Sequence, residues 1–146
     1  MEARGGYSGR MDTDDIDEAT VEAVGKLTEA LETTERARGH LYSFHQLTGA
    51  ADLQLGEASE LLRAAGHGEL AKRIEHELVG RNVVADRWTF QVVQEYDDSY
   101  WSVFRAFEQD VRDTLTGGRR HLHEAAMKED RRTHGHPDHT RGPDEA

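Results

Sequence analysis

Residues 16–48 read IDEATVEAVGKLTEALETTERARGHLYSFHQLT, and their apolar members decide the fold. Val24, Leu27, Leu31, Thr34, Leu41, Phe44 and Leu47 recur mainly at spacings of three and four, which lays side chains along one side of an α-helix. Asp14, Asp15 and Asp17 precede or open this run, where negative charge complements the positive end of the helix dipole. A helix over 16–48 follows. At about 1.5 Å per residue it is about 48 Å long, more than a compact domain of this size requires. Such a stripe calls for an equally long partner.

That partner lies downstream, where Tyr96, Tyr100, Phe104, Phe107, Val111 and Leu115 form a second, aromatic stripe. Gly117 and Gly118 each cost a helix about 1 kcal/mol relative to alanine, enough to fray or kink it. Leu122, Ala125 and Ala126 then restore the pattern, so the helix is expected over 95–128. Between the two long helices, Leu55, Ala58, Leu61, Leu62 and Ala65 form a short stripe that starts from Asp52 and ends at Gly66-His67-Gly68. Another, Leu70, Ile74 and Leu78, ends at Gly80. In Arg81–Gln94 the residues Val83, Val84, Trp88, Phe90, Val92 and Val93 hold no helical period, and an irregular apolar connection is expected. The reading is an all-α fold: an elongated helical bundle of two long amphipathic helices plus a short helical hairpin. A disordered arm (1–15) and a disordered tail (131–146) should flank one helical domain over 16–130, because both ends are polar and rich in glycine.

Composition narrows the chemistry. The 146 residues carry a formal net charge of −11, which argues against general affinity for nucleic acid or for anionic membranes. The absence of cysteine excludes disulfides, zinc–thiolate centres, iron–sulfur clusters and a thiol nucleophile. No apolar run is long enough to span a membrane and no secretory leader stands at the N-terminus, so a cytoplasmic location is expected.

Metal-ligand spacing is also missing. A ferritin-like bundle uses Glu-x-x-His pairs, yet the residues three positions before the histidines of the helical region are Ala37, Tyr42, Ala64, Arg73, Gly118 and Arg120. His40 and His45 stand about 140° apart around one helix, too far to share an ion. His134, His136 and His139 in the tail would chelate only weakly from a flexible peptide. No metal and no cofactor is expected. No phosphate loop, nucleophile elbow or paired-carboxylate motif stands out, so nothing points positively to an enzyme.

The richest constellation is the stretch from Arg81 to Trp101. Arg81, Asn82, Arg87, Trp88, Gln91, Glu95, Tyr96 and Asp98 interleave hydrogen-bonding heads with large aromatics, a mix that suits a small-molecule pocket or a partner-binding patch. The competing structural reading is a crossover whose polar groups cap the flanking helices. His40–Gly49 and Glu77–Asp98, together with Gly117–Gly135, resemble a group of small, functionally uncharacterised α-helical proteins from actinobacteria. The resemblance covers residues 27–135 and implies a single domain without implying a mechanism.

Two functional readings follow. One is a non-enzymatic helical interaction or regulatory module, homodimeric or bound to another protein, in which long helices of two chains share a core. The other is a small-molecule-binding or metal-dependent enzyme that uses the 81–101 segment as its pocket wall.

Overall fold

In the computed structural model residues 16–143 are described, and among them every regular element is helical. The expected arm over 1–15 lies outside the described residues. Helix α1 is Glu18–Ala64, α2 is Gly68–Glu77, α3 is Thr89–Tyr96, α4 is Ser102–Thr116 and α5 is Leu122–Arg131. A five-residue π-helical segment, Asp97–Trp101, joins α3 to α4. The all-α reading holds, with boundaries that differ from those expected.

The largest difference is at Gly49. Helices over 16–48 and from Asp52 are in fact one helix of 47 residues, because a glycine inside a helix costs only about 1 kcal/mol and packing on either side outweighs it. The true end of α1 is a Schellman motif. Gly66 takes φ +93°, its N–H meets the Arg63 carbonyl at 3.1 Å, and the His67 N–H reaches the Leu62 carbonyl at 2.8 Å. The short hairpin expected from the sequence is therefore the last turns of α1 and α2.

The second difference concerns the apolar connection. Only residues 81–88 are irregular, and α3 starts at Thr89. Val84 and Arg87 form an isolated bridge around a tight turn in which Asp86 takes φ +64°, a conformation that aspartate tolerates better than most residues. The expected helix over 95–128 is broken at Gly117 and Gly118, both at positive φ, so the pair ends α4 rather than kinking it.

The chain divides into two compact units. Among the described residues, unit one comprises 16–31 and 105–143, and unit two 32–104. In unit one, Val24 is buried and the packing is polar at its centre. Glu108, only 5% exposed, accepts hydrogen bonds from the Thr28 hydroxyl at 3.0 Å and from Arg112 Nε at 3.1 Å. These bonds offset the cost of burying the carboxylate. Gly25 lies so close to His123 that a Cβ there would come within 3.0 Å of the histidine's own Cβ. Residues 132–143, assigned to the tail from sequence, form turns that reach back to α5. There Arg132 Nη1 donates to the His139 carbonyl at 3.0 Å and Lys128 Nζ to the Arg141 carbonyl at 2.8 Å.

In unit two, α1 meets α2 through Glu75, which accepts from Ser59 at 3.1 Å and from Arg63 at 2.7 Å. Arg38 on α1 forms a bidentate pair with Asp97, at 2.7 and 3.0 Å, while its guanidinium lies 4.2 Å from the Trp101 ring centre. The wide π turn carries both partners. It bonds the Ser102 N–H to the Asp97 carbonyl, one residue further back than an α-helix would. His45 Nδ1 and the Thr89 hydroxyl, 2.7 Å apart, fasten α1 to the start of α3.

Candidate functional site

The segment after α2 is held shut by its own polar groups. Asp52 on α1 accepts the Gly80 N–H at 2.8 Å, satisfying a backbone donor just past the helix end. The Trp88 indole N–H is shared between the carbonyls of Gly80, at 3.2 Å, and Arg81, at 3.1 Å. Gln91 then takes the Trp88 backbone N–H on its side-chain oxygen at 2.8 Å and so caps α3. These three ties fix the loop over α1.

Beneath the loop lies a cavity of about 540 Å³ in unit two. Its walls are Ala51, Leu55, Leu78, Val83 and the Trp88 ring, and its polar groups come from Thr48, Asp52, Arg81, Asn82 and Thr89. The volume falls within the roughly 300–1,000 Å³ range of small-molecule sites. Leu78, Val83 and Trp88 are substantially exposed, so apolar surface faces the opening. Arg81 makes one long bond, 3.4 Å, to the Glu77 carbonyl, and among the described residues no carboxylate lies within ion-pair distance of it.

The residues singled out from sequence therefore separate into two groups. Arg81, Asn82 and Trp88 line the cavity. Arg87 and Glu95 instead pair with each other, bidentate and largely exposed, with a second Arg87 bond to the Ala85 carbonyl at 3.3 Å. They brace the turn rather than facing the cavity. Gln91 is the cap just described. Tyr96 packs on Tyr100 with ring centres 5.5 Å apart, and burial raises its phenol above the ordinary tyrosine value. Asp98 lends its backbone carbonyl to the Ser102 hydroxyl at 2.8 Å and keeps its side chain exposed.

Sequence reasoning missed the half of the cavity that belongs to α1 and to Leu78, just past the end of α2. Thr48, Asp52, Leu55 and Leu78 all line it. A signal existed in the run Thr48, Asp52, Leu55, Ser59, Leu62, spaced four and three, but reading a helix start at Asp52 cut that run in two.

A second feature of unit two is a row on α1 that stays exposed among the described residues. Phe44, Leu47, Ala51, Gln54, Ala58 and Leu61 alternate spacings of three and four, and all six are exposed. Leu47 and Leu61 are each 70% exposed and Phe44 46%. The row lies one residue, about 100°, from the covered row that carries His45, Thr48, Asp52, Leu55, Ser59 and Leu62. Against this exposure, Ala71 and Val93 are the buried hydrophobic residues of unit two.

Compared with known protein families, curated proteins and solved structures, the chain matches none. No helix among the described residues is long and apolar enough to cross a membrane.

Proposed function

We propose that the chain is a helical interaction module that works as a homodimer, with two copies of α1 meeting along the Phe44–Leu61 row. The observation that carries this reading is the exposure of Leu47 and Leu61, 70% each, in a heptad-like row beside a covered one. A surface helix normally shows one apolar stripe; a second, uncovered stripe marks a contact made outside the chain.

The row is complementary to itself. An antiparallel two-fold axis between Asp52 and Leu53 sets Phe44 of each chain against Leu61 of the other, Leu47 against Ala58, and Ala51 against Gln54. Leu47 then meets the small Ala58, Phe44 meets Leu61 at either end, and the single polar member sits at the centre, where it penalises a slipped register. Covering four leucines contributes on the order of 4–8 kcal/mol at the usual value per buried side chain. That is a large part of the roughly 8 kcal/mol that a micromolar dimer needs.

Disulfide trapping tests the geometry, and the absence of native cysteine makes introduced thiols unambiguous. Under mild oxidation the Leu47→Cys/Ala58→Cys protein should form covalent dimers in high yield. Leu47→Cys alone should not, because the two thiols would lie about 16 Å apart along the antiparallel pair. Efficient cross-linking by the single variant, or none by either, contradicts the arrangement.

A further inference from the structure

The cavity beneath the loop shares Ala51 with the self-association row, but its remaining walls lie off that row and its chemistry supports a separate conclusion. Five of its lining residues, Ala51, Leu55, Leu78, Val83 and Trp88, offer carbon surface, and an indole face among them suits a flat or aromatic body. A purely structural loop would bring Leu78, Val83 and Trp88 down onto α1. Here they stand exposed around about 540 Å³ of open space.

The polar groups at the cavity are unequally engaged. Asp52 already accepts the Gly80 N–H, and Thr89 is tied to His45. Arg81 is the least committed: its guanidinium has five donors and spends one on a distant backbone carbonyl. Asn82, the next residue, also lines the cavity, and among the described residues its amide has no hydrogen-bond partner, so it offers a second donor group. An arginine and an amide with uncommitted donors, lining a cavity with apolar walls, suit a carboxylate carried on an apolar body.

We propose that this cavity binds an amphipathic organic anion, a carboxylate on a bulky aromatic or alkyl body, with the carboxylate on Arg81 and Asn82 and the body against Leu55, Leu78, Val83 and the Trp88 ring. The ligand lies between α1 and the loop from Arg81 to Trp88. Trp88 lines the cavity while its indole N–H stays on the loop carbonyls, so binding needs no break in the loop's own hydrogen bonds.

The test uses 1-pyrenebutyrate as the probe, with 1-pyrenebutanol and 1-pyrenemethylamine as its neutral and cationic counterparts. Binding to the full chain is measured by calorimetry, and helicity by circular dichroism. The butyrate should bind saturably at one site per chain, at least about tenfold more tightly than the alcohol, and the amine more weakly still. Arg81→Met should remove the preference for the anion while leaving the alcohol within about twofold. Leu55→Trp, which fills the cavity from the α1 side, should abolish binding of both with helicity unchanged. Tighter binding of the amine, equal losses of acid and alcohol in Arg81→Met, or binding that survives Leu55→Trp would each overturn the proposal. Leu47→Glu/Leu61→Glu separates the two readings: it disrupts the self-association row without touching the Arg81 end of the cavity, and the butyrate should still bind. Loss of butyrate binding there would move the site from the cavity to the exposed row.

Discussion

Two faces of α1 within unit two solve opposite problems. The face turned toward the rest of the unit is laced with polar pairs: Arg38 to Asp97, His45 to Thr89, Asp52 to the Gly80 N–H, Ser59 to Glu75. The adjacent face carries Phe44, Leu47 and Leu61, which stay exposed among the described residues. Directional groups set register, because each pairs with one partner in one geometry, whereas apolar area gives most of its free energy wherever it is covered. Within unit two, α1 fixes its packing with polar contacts and leaves exposed the apolar row proposed above for self-association.

The largest expected effect breaks that comparison on the apolar side. Leu47→Glu/Leu61→Glu should weaken self-association at least about a thousandfold, since it replaces four leucines of the pair with carboxylates facing apolar surface. Helicity measured by circular dichroism should stay within error of the parent, because neither leucine supports the fold of its own chain.

Next is Trp88, which ties the residue before α3 to the loop carbonyls of Gly80 and Arg81 through its indole N–H. Because it is 39% exposed, Trp88→Ala should cost about 2 kcal/mol in urea unfolding. That is below the roughly 3–5 kcal/mol of a fully buried aromatic.

A smaller loss, about 1 kcal/mol, is expected for Asp97→Asn, which keeps shape but gives up the ionic part of the bond to Arg38. The pair also sets a pH dependence. Hydrogen bonding to Arg38 holds the Asp97 carboxyl below the ordinary aspartate value. Its contribution is therefore complete above the unfolded pKa and is lost as pH falls through the depressed folded value. Stability curves of parent and Asp97→Asn should accordingly converge as pH falls below about 4. A constant gap down to pH 2 would remove the ionic account.

The smallest effect is at Arg87. Its pair with Glu95 is 44% and 53% exposed, and such pairs contribute about 0.2–1 kcal/mol. Arg87→Ala should shift the unfolding midpoint by the low end of that range and leave 1-pyrenebutyrate binding unchanged, because Arg87 does not line the cavity. Altered binding would place Arg87 in the site.

The helical class was readable because spacings of three and four persist through most of the chain. Boundaries were harder to read, and for physical reasons. Leu41, Phe44 and Leu47 look like one stripe, but consecutive steps of three rotate by about −60° each, so Leu47 ends about 120° from Leu41. That drift separates a half-buried Leu41 from an exposed Leu47. Trp88, Phe90 and Val92 alternate as a strand would, yet Thr89 and Val93, four apart, are the residues that α3 buries. Within the cavity, Arg81, Asn82 and Trp88 were visible as a polar–aromatic cluster. Thr48, Asp52 and Leu55 were hidden because they belong to a helix that was read as ending at Gly49.

Sedimentation equilibrium on the parent chain and on Leu47→Glu/Leu61→Glu tests the central claim most directly. At tens of micromolar the parent should sediment at twice the 16.5 kDa chain mass and the double variant at the chain mass, with equal helicity. A parent that stays at the mass of one chain throughout, with Leu47 and Leu61 left in water, would contradict the account.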